Sequence, residues 1–70
     1  MKREFVLQSD YIELIKFLKL LGIAETGGMA KNMVEEGEVS VNGIKETRRR
    51  YKLKSGDVVE VLGNAIHIIK

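Results

Sequence analysis

The sequence contains no cysteine among its 70 residues. This absence excludes disulfide bridges, thiolate metal sites and thiol nucleophiles. A single histidine, His67, is too few for a multi-histidine metal centre. No apolar run approaches the roughly 18 residues of a membrane span, and acidic residues interrupt any signal-peptide pattern near the N-terminus. We therefore expect a cytoplasmic, monomeric protein with no cofactor, no membrane contact and no small-molecule substrate.

Candidate catalytic groups are equally sparse. His67 is the one obvious acid–base candidate, and a predicted strand pairing with Glu60 explains it as half of a surface charge pair. The serines lie in cap, strand and turn contexts with no activating partners, at Ser9, Ser40 and Ser55. The acids of 35–38 fit a solvated rim better than converging metal ligands. The sequence does not predict an enzyme.

Positive charge is concentrated in one segment, although the formal net charge is only +2. Residues 1–44 hold five basic and seven acidic residues, whereas residues 45–54 hold six basic residues against Glu46 alone. The six are Lys45, Arg48, Arg49, Arg50, Lys52 and Lys54. A local excess of this kind is typical of a nucleic-acid contact, but it also fits a charged strand edge that resists pairing.

The N-terminal part of the chain predicts one strand followed by a helix. Strand formers occupy residues 3–7, and apolar residues recur at helical spacing over 11–21. Asp10 and Glu13 have the spacing of a capping box at the helix start, and Gly22 provides its stop. The apolar stripe comprises Tyr11, Leu14, Ile15, Leu18 and Leu21, while Ile12 and Leu20 lie off it.

A second helix is predicted from the N-cap Thr26 to about Glu36, with Gly37 at its end. Its inner face is predicted to comprise Ala30, Met33 and Val34, with Met29 as further core filling. Gly27 and Gly28 in its first turn cost roughly 1 kcal/mol each relative to alanine. Either close helix packing requires them, or they expose backbone N–H groups at the positive end of the helix dipole, where an anion binds.

The remaining sequence predicts strands. Val39 and Val41 alternate into Asn42-Gly43, which is typical of a type I′ hairpin. If the basic run is extended, one face carries Arg48, Arg50, Lys52 and Lys54, and the other carries Tyr51 and Leu53. Arg49 falls on the inner parity, which predicts an irregular backbone there.

A second hairpin is predicted around Gly63-Asn64. Its expected pairs are Val61 with Ile66, Val59 with Ile68 and Glu60 with His67. The order of elements predicts a single α+β domain over residues 1–70, with two helices packed on a small, mostly antiparallel sheet.

The spaced motifs together resemble the S4 RNA-binding domain, first seen in ribosomal protein S4. The resemblance rests on Leu21-Gly22-Ile23-Ala24, Thr26, Ala30-Lys31, Gly37, Val39, Val41-Asn42-Gly43 and Gly56-Asp57. It runs without a gap from about Glu13 to Val61. The chain is similar to the small stand-alone bacterial S4-domain proteins of the YbcJ/YaaA type, particularly at Thr26-Gly27 and over residues 46–50.

The resemblance implies the αL motif, in which a helix pair and the following strand loop grip structured RNA, usually ribosomal or transfer RNA. Lys31 stands where the family commonly has an arginine facing RNA. Two customary basic positions are lost, at Glu13 and Gly27. We predict that backbone N–H groups of Gly27 and Gly28 replace one of these arginines. The predicted RNA-binding residues are Thr26, Gly27, Gly28, Lys31, Lys45, Arg48, Arg49, Arg50 and Lys52.

A competing prediction is a protein-binding adaptor whose basic patch meets an acidic partner, such as a ribosome-associated factor. The two apolar residues off the helix stripe, Ile12 and Leu20, favour it because they suit a surface that a partner covers.

Overall fold

A computed structural model describes residues 2–70 of the chain. Its helices are α1 (Leu14–Leu20) and α2 (Gly27–Glu35). Its strands are β1 (Lys2–Val6), β2 (Ile12–Glu13), β3 (Val39–Val41), β4 (Ile44–Lys45), β5 (Lys52–Leu53), β6 (Val58–Val61) and β7 (Asn64–Ile69).

The larger sheet has the strand order β1-β7-β6-β3-β4. β1 runs parallel to β7, and the other neighbours in this sheet are antiparallel. β2 and β5 form a separate antiparallel pair. The predicted α+β architecture, with two helices and a mostly antiparallel sheet, is confirmed.

The helices and the larger sheet share one apolar core. From the helices it receives Leu14, Phe17, Leu18, Ala30, Met33 and Val34, and from β3, β6 and β7 it receives Val39, Val41, Val59, Val61, Ile66 and Ile68. Phe17 is fully buried and meets Phe5 edge-on, with ring centroids 5.2 Å apart. The predicted stripe omitted Phe17. Met29 was predicted to fill the core, but it is 44% exposed.

The first helix begins three residues later than predicted. The capping box of Asp10 and Glu13 does not form, since Glu13 is the N-cap and makes no side-chain cap hydrogen bond. The reason is long-range pairing, because Ile12 and Glu13 extend as β2 opposite Leu53 and Lys52 of β5. This pairing also leaves Tyr11 outside the helix and 42% exposed.

The last hairpin turns one residue earlier than predicted. Its turn lies at Leu62-Gly63, where both residues have positive φ, and Val61 pairs with Asn64. The predicted pair of Glu60 with His67 is therefore wrong, since His67 lies opposite Val58. Each residue of β6 therefore pairs with a partner two positions earlier than predicted. Because alternate side chains of a strand share a face, the predicted core face is unchanged. Val59, Val61, Ile66 and Ile68 are all buried.

The other predicted turns and helix ends are confirmed. Asn42 and Gly43 have φ values of 54° and 82°, as a type I′ turn requires. Gly22 and Gly37 follow the two helices with φ values of 73° and 78°. After α2, the amides of Gly37 and Glu38 donate to the carbonyls of Val34 and Met33, a Schellman arrangement.

Candidate nucleic-acid interface

Residues 45–54 are here called the basic loop. They run from the last residue of β4, through the connection, to the residue that follows β5. Four of their cations, together with Tyr51, line one shallow depression of about 380 Å³. These cations are Arg48, Arg50, Lys52 and Lys54, the set that strand parity predicted for one face. The backbone is not extended throughout, because a turn forms at residues 49–50 and the Tyr51 amide donates to the Arg48 carbonyl. The predicted irregularity at Arg49 is confirmed.

The backbone of the basic loop also completes the start of α1. The amides of Leu14 and Ile15 donate to the carbonyls of Tyr51 (2.9 Å) and Arg49 (3.1 Å). These amides belong to the first turn of α1, which has no partners within the helix. Since Glu13 offers no side-chain cap, the loop carbonyls do the capping. The arginine segment is therefore tied to the helix through its backbone, which leaves its side chains free to face outward.

A second set of contacts holds the base of the loop. The side-chain amide of Asn42 donates to Asp57 Oδ1 (3.0 Å), and Asn42 Oδ1 accepts from the Val58 amide (2.8 Å). Asp57 Oδ2 in turn accepts from the Lys54 amide (2.9 Å). The Asn-Gly and Gly-Asp motifs, fifteen residues apart in sequence, thus join directly. Their side chains fix the two ends of the basic loop.

Arg48 is oriented by its neighbours on two sides. Glu46 Oε2 accepts from both the backbone amide and Nε of Arg48 (2.9 Å each), and Glu46 Oε1 accepts from Nη2 (3.1 Å). The guanidinium also lies over the Tyr51 ring, 5.0 Å from its centroid. The hydrogen bond from Arg48 lowers the pKa of Glu46, and the same contact raises the pKa of Arg48. Both groups therefore stay charged at neutral pH, with the guanidinium still largely exposed.

Lys52 and Lys45 take different directions from the loop. The Lys52 ammonium lies over the Tyr11 ring, 4.9 Å from its centroid. The Lys45 side chain lies across Gly37 at the end of α2, where a Cβ would come within 2.7 Å of Lys45 Cδ. A cation there complements the negative end of the helix dipole. Lys45 therefore lies beside α2, and it does not line the depression formed by the other cations.

The start of α2 has the predicted cap. Thr26 Oγ1 accepts from the Met29 amide (3.1 Å), and the Thr26 carbonyl accepts from the Ala30 amide. The amides of Gly27 and Gly28 precede these two. A Cβ on Gly27 would meet nothing within 4 Å, and one on Gly28 would meet only Thr26 Oγ1 at 3.9 Å. Close packing therefore does not explain these glycines.

The start of α2 and the basic loop lie in different depressions of the surface. Thr26 and Gly28 line a depression with Glu36, Glu38 and Leu62, which contains none of the arginines. Lys31 lies elsewhere, because at 3.6 residues per turn Met29 and Lys31 project about 100° to either side of buried Ala30. Since Met29 borders the acidic depression, Lys31 faces away from it. Of the predicted residues, Arg48, Arg50 and Lys52 line the depression at the loop, and Thr26 and Gly28 line the one at the helix. The others line neither, namely Gly27, Lys31, Lys45 and Arg49.

Some residues of the loop surface were not predicted as part of the site. Tyr51 was assigned to the inner face and does pack against the core, but it also lines the depression and carries Arg48 on its ring. Tyr11 was assigned to a helix stripe, yet it lies beneath Lys52. Aromatic residues at this spacing match a core pattern equally well, so only the fold could distinguish them. Glu46 is the one acid among residues 45–54, and it was the sequence feature that could have indicated an ion pair with an arginine.

Within residues 2–70, no helix is long and apolar enough to span a membrane, and histidine and acidic side chains form no cluster suited to a metal ion. The model of the S4 domain family matches residues 5–69. The chain belongs to the S4 domain family.

Two curated relatives cover most of this S4 domain. YbcJ of Escherichia coli (strain K12), provisionally described as an RNA-binding protein, is 39% identical over 59 residues, which are 84% of each chain. RlbA of Bacillus subtilis (strain 168), provisionally described as a ribosome maturation protein, is 46% identical over 57 residues, 81% of this chain and 80% of RlbA.

A solved structure resembles the S4 domain described above. The solution structure of E. coli YbcJ superimposes with a TM-score of 0.71 at 37% identity, covering 96% of this chain and 86% of that one. That structure is described as revealing an αL motif involved in RNA binding. The resemblance to the S4 RNA-binding domain and its αL fold, predicted from the spaced motifs, is confirmed.

Proposed function

We propose that this S4 domain protein binds structured RNA, ribosomal or transfer RNA, and performs no catalysis. The observation that carries the proposal is the depression in which four cations of the basic loop converge around Tyr51. The descriptions of YbcJ and RlbA support RNA as the ligand, and that of RlbA favours ribosomal RNA. The protein then acts in the cytoplasm, as a monomer.

The chemistry of the loop suits an RNA backbone. Arginine presents a planar fork of donors that matches a phosphate, and the same plane stacks on exposed bases. Arg48 is held ready for this by Glu46 and Tyr51, so less rotamer freedom is lost when RNA binds. The depression is shallow and lined by cations, which favours an extended anionic ligand over an enclosed small molecule.

The start of α2 supplies a second phosphate contact in this proposal. The N–H groups of Gly27 and Gly28 lie at the positive end of the helix dipole, and the lack of side chains lets a phosphate approach the backbone. Lys31 and Lys45 add positive charge along α2. In this proposal one RNA spans the basic loop and the start of α2, while Lys31 and Lys45 contact parts of it outside the two depressions.

Removal of the three arginines tests the proposal. Arg48, Arg49 and Arg50 are changed together to alanine, and filter binding to ribosomal and transfer RNA is measured. We expect affinity to fall at least about tenfold, because several phosphate contacts disappear. The carbonyls of Arg49 and Tyr51 remain, so α1 keeps its cap and circular dichroism should show an unchanged fold.

The matched control is Arg3/Lys19/Lys70→Ala, which removes the same charge from outside the basic loop. We expect this control to lose no more than about threefold in affinity, since non-specific charge effects are small at physiological salt. Equal losses in the two triple variants would contradict the assigned surface.

The competing adaptor function has less support from the structure than from the sequence. Ile12 packs against the core, whereas Leu20 is 62% exposed. Purification with and without ribonuclease distinguishes the two functions. Co-purifying ribosomal proteins should be lost after treatment if RNA holds them, and an adaptor would retain its partner.

A further inference from the structure

We propose that a groove beside the basic loop binds one unpaired nucleotide of the same RNA, with its base stacked on Tyr11. The inference rests on the proposed function and adds a preference for RNA with a single-stranded segment next to its helical part. The groove lies between the end of β1 and α1 and has a volume of about 630 Å³. It is thus larger than the depression in the basic loop.

The walls of the groove suit a base better than a phosphate. Its apolar surface comes from Phe5, Leu7, Ile12 and Leu20, and Tyr11 adds an aromatic ring. Glu13 and Lys16 also line it, as do the polar groups of Gln8 and Ser9. A carboxylate repels phosphate but accepts hydrogen bonds from the amino groups of bases. The groove therefore offers stacking and edge recognition, while Lys16 supplies charge for the attached phosphate.

Lys52 joins this groove to the basic loop. Its side chain lines the cationic depression, and its ammonium lies 4.9 Å from the centroid of the Tyr11 ring, which lines the groove. The pairing of Glu13 with Lys52 and of Ile12 with Leu53 fixes this junction. An RNA strand whose phosphates contact the basic loop can therefore place its next base in the groove while its phosphates stay beside the cations.

The state of Tyr11 fits a stacking platform. The residue is 42% exposed although Lys52 lies over its ring, and it lines the groove. The hydrogen bond from Ser9 Oγ to the Tyr11 carbonyl (2.8 Å) orders the backbone that carries it. Bases stack on such rings with little regard to sequence. Lys16 and Lys52 favour RNA over an apolar protein segment, because such a segment would bring no negative charge to the two cations.

The test compares a blunt-ended RNA duplex with the same duplex carrying a short single-stranded oligoadenylate extension. Fluorescence anisotropy is measured at one salt concentration for the wild type, Tyr11→Ala and Tyr11→Phe. We expect Tyr11→Ala to lose about tenfold more affinity for the extended duplex than for the blunt duplex, because stacking on one base is lost. Any loss common to both duplexes measures the contact between Tyr11 and Lys52. Tyr11→Phe keeps the ring and should match the wild type.

Other outcomes overturn the inference. Equal weakening toward both duplexes would mean that Tyr11 only supports Lys52, and no effect on either would mean that no base stacks there. In both cases the proposed function stands if Arg48/Arg49/Arg50→Ala still weakens binding to the blunt duplex. If the wild type binds neither duplex, the proposed function fails together with the inference.

A measurement on the wild-type protein does not depend on whether the variants fold. Titration with oligoadenylate, followed by NMR, should shift the Tyr11 ring protons and the Lys16 amide. Unmoved groove resonances would overturn the inference and leave the groove to a protein segment. Self-association in sedimentation experiments that Leu20→Glu abolishes would also overturn it, by assigning the groove to a second copy of the chain.

Discussion

At the scale of single residues, Gly27 and Gly28 can be tested for opposite effects on the stability of the fold and on RNA binding. Neither has a positive φ, and an added Cβ at Gly27 would meet empty space. Glycine at these positions therefore brings no packing benefit and lowers helix propensity. The contrast with Gly37 is clear, since Gly37 has φ of 78° and Lys45 lies against it.

We predict that Gly27→Ala stabilises the protein and weakens RNA binding. Stability should rise by up to about 1 kcal/mol, because alanine favours the helix and fits without strain. Affinity for RNA should fall several-fold, because the new methyl group obstructs a phosphate that approaches the backbone. Thermal unfolding and filter binding measure the two effects.

Asn32→Ala is the control for Gly27→Ala. Asn32 is an exposed position of α2 that lines the same depression as Thr26 and Gly28. Alanine there also raises helix propensity but adds no atom next to the N–H groups of Gly27 and Gly28. The control should gain stability and keep its RNA affinity. Unchanged affinity in Gly27→Ala would remove the helix start from the proposed interface.

At the scale of elements, the basic loop is placed by contacts that are distant in sequence. The Asn42 and Asp57 side chains meet at its base, and β5 pairs with β2 at its end. Loop cations can converge only while these contacts hold. The function proposed for the loop therefore depends on a hairpin turn that carries no charge of its own.

We predict that Asn42→Ala destabilises the fold by roughly 3 kcal/mol, from two lost hydrogen bonds and from the positive φ that alanine must adopt. Each side-chain hydrogen bond contributes roughly 1 kcal/mol, and alanine tolerates the positive φ of this position less well. Denaturant unfolding measures the change. RNA affinity should also fall, because Asp57 loses one of the partners that orient the end of the loop.

Asn42→Gly separates the two causes. Glycine accepts φ of 54° without strain, so this variant should lose only the hydrogen-bond contribution and lie between the wild type and Asn42→Ala. If Asn42→Gly is as stable as the wild type, the contacts with Asp57 and Val58 contribute nothing.

The same scale explains which elements the sequence predicted. Local signals were sufficient for the cap at Thr26, the helix end at Gly37 and the turn at Asn42-Gly43. The start of α1 was wrong because β2 depends on Lys52-Leu53, some forty residues away, and local spacing does not register such a partner. Tyr11 was misplaced for that reason, and the groove that contains it was not predicted.

At the scale of the whole molecule, charge is separated between surfaces. Glu36, Glu38 and Glu60 surround the exposed Leu62 in two adjoining depressions that no lysine or arginine lines. The basic loop gathers four cations in another depression. The basic loop therefore attracts a polyanion before contact is made. The start of α2 shares its depression with Glu36 and Glu38, so a phosphate contact there has to offset the repulsion of these carboxylates.

We predict a steep dependence of RNA affinity on salt. With about five cations on phosphates, the slope of log affinity against log salt concentration should be roughly −3 to −5. Arg48/Arg49/Arg50→Ala should reduce the steepness by roughly 2 to 3, since each of the three lost phosphate contacts removes about 0.7 to 0.9 units. Arg3/Lys19/Lys70→Ala should keep the wild-type slope. A wild-type slope near zero, or equal reductions in both variants, would show that phosphate contacts at the basic loop do not drive binding.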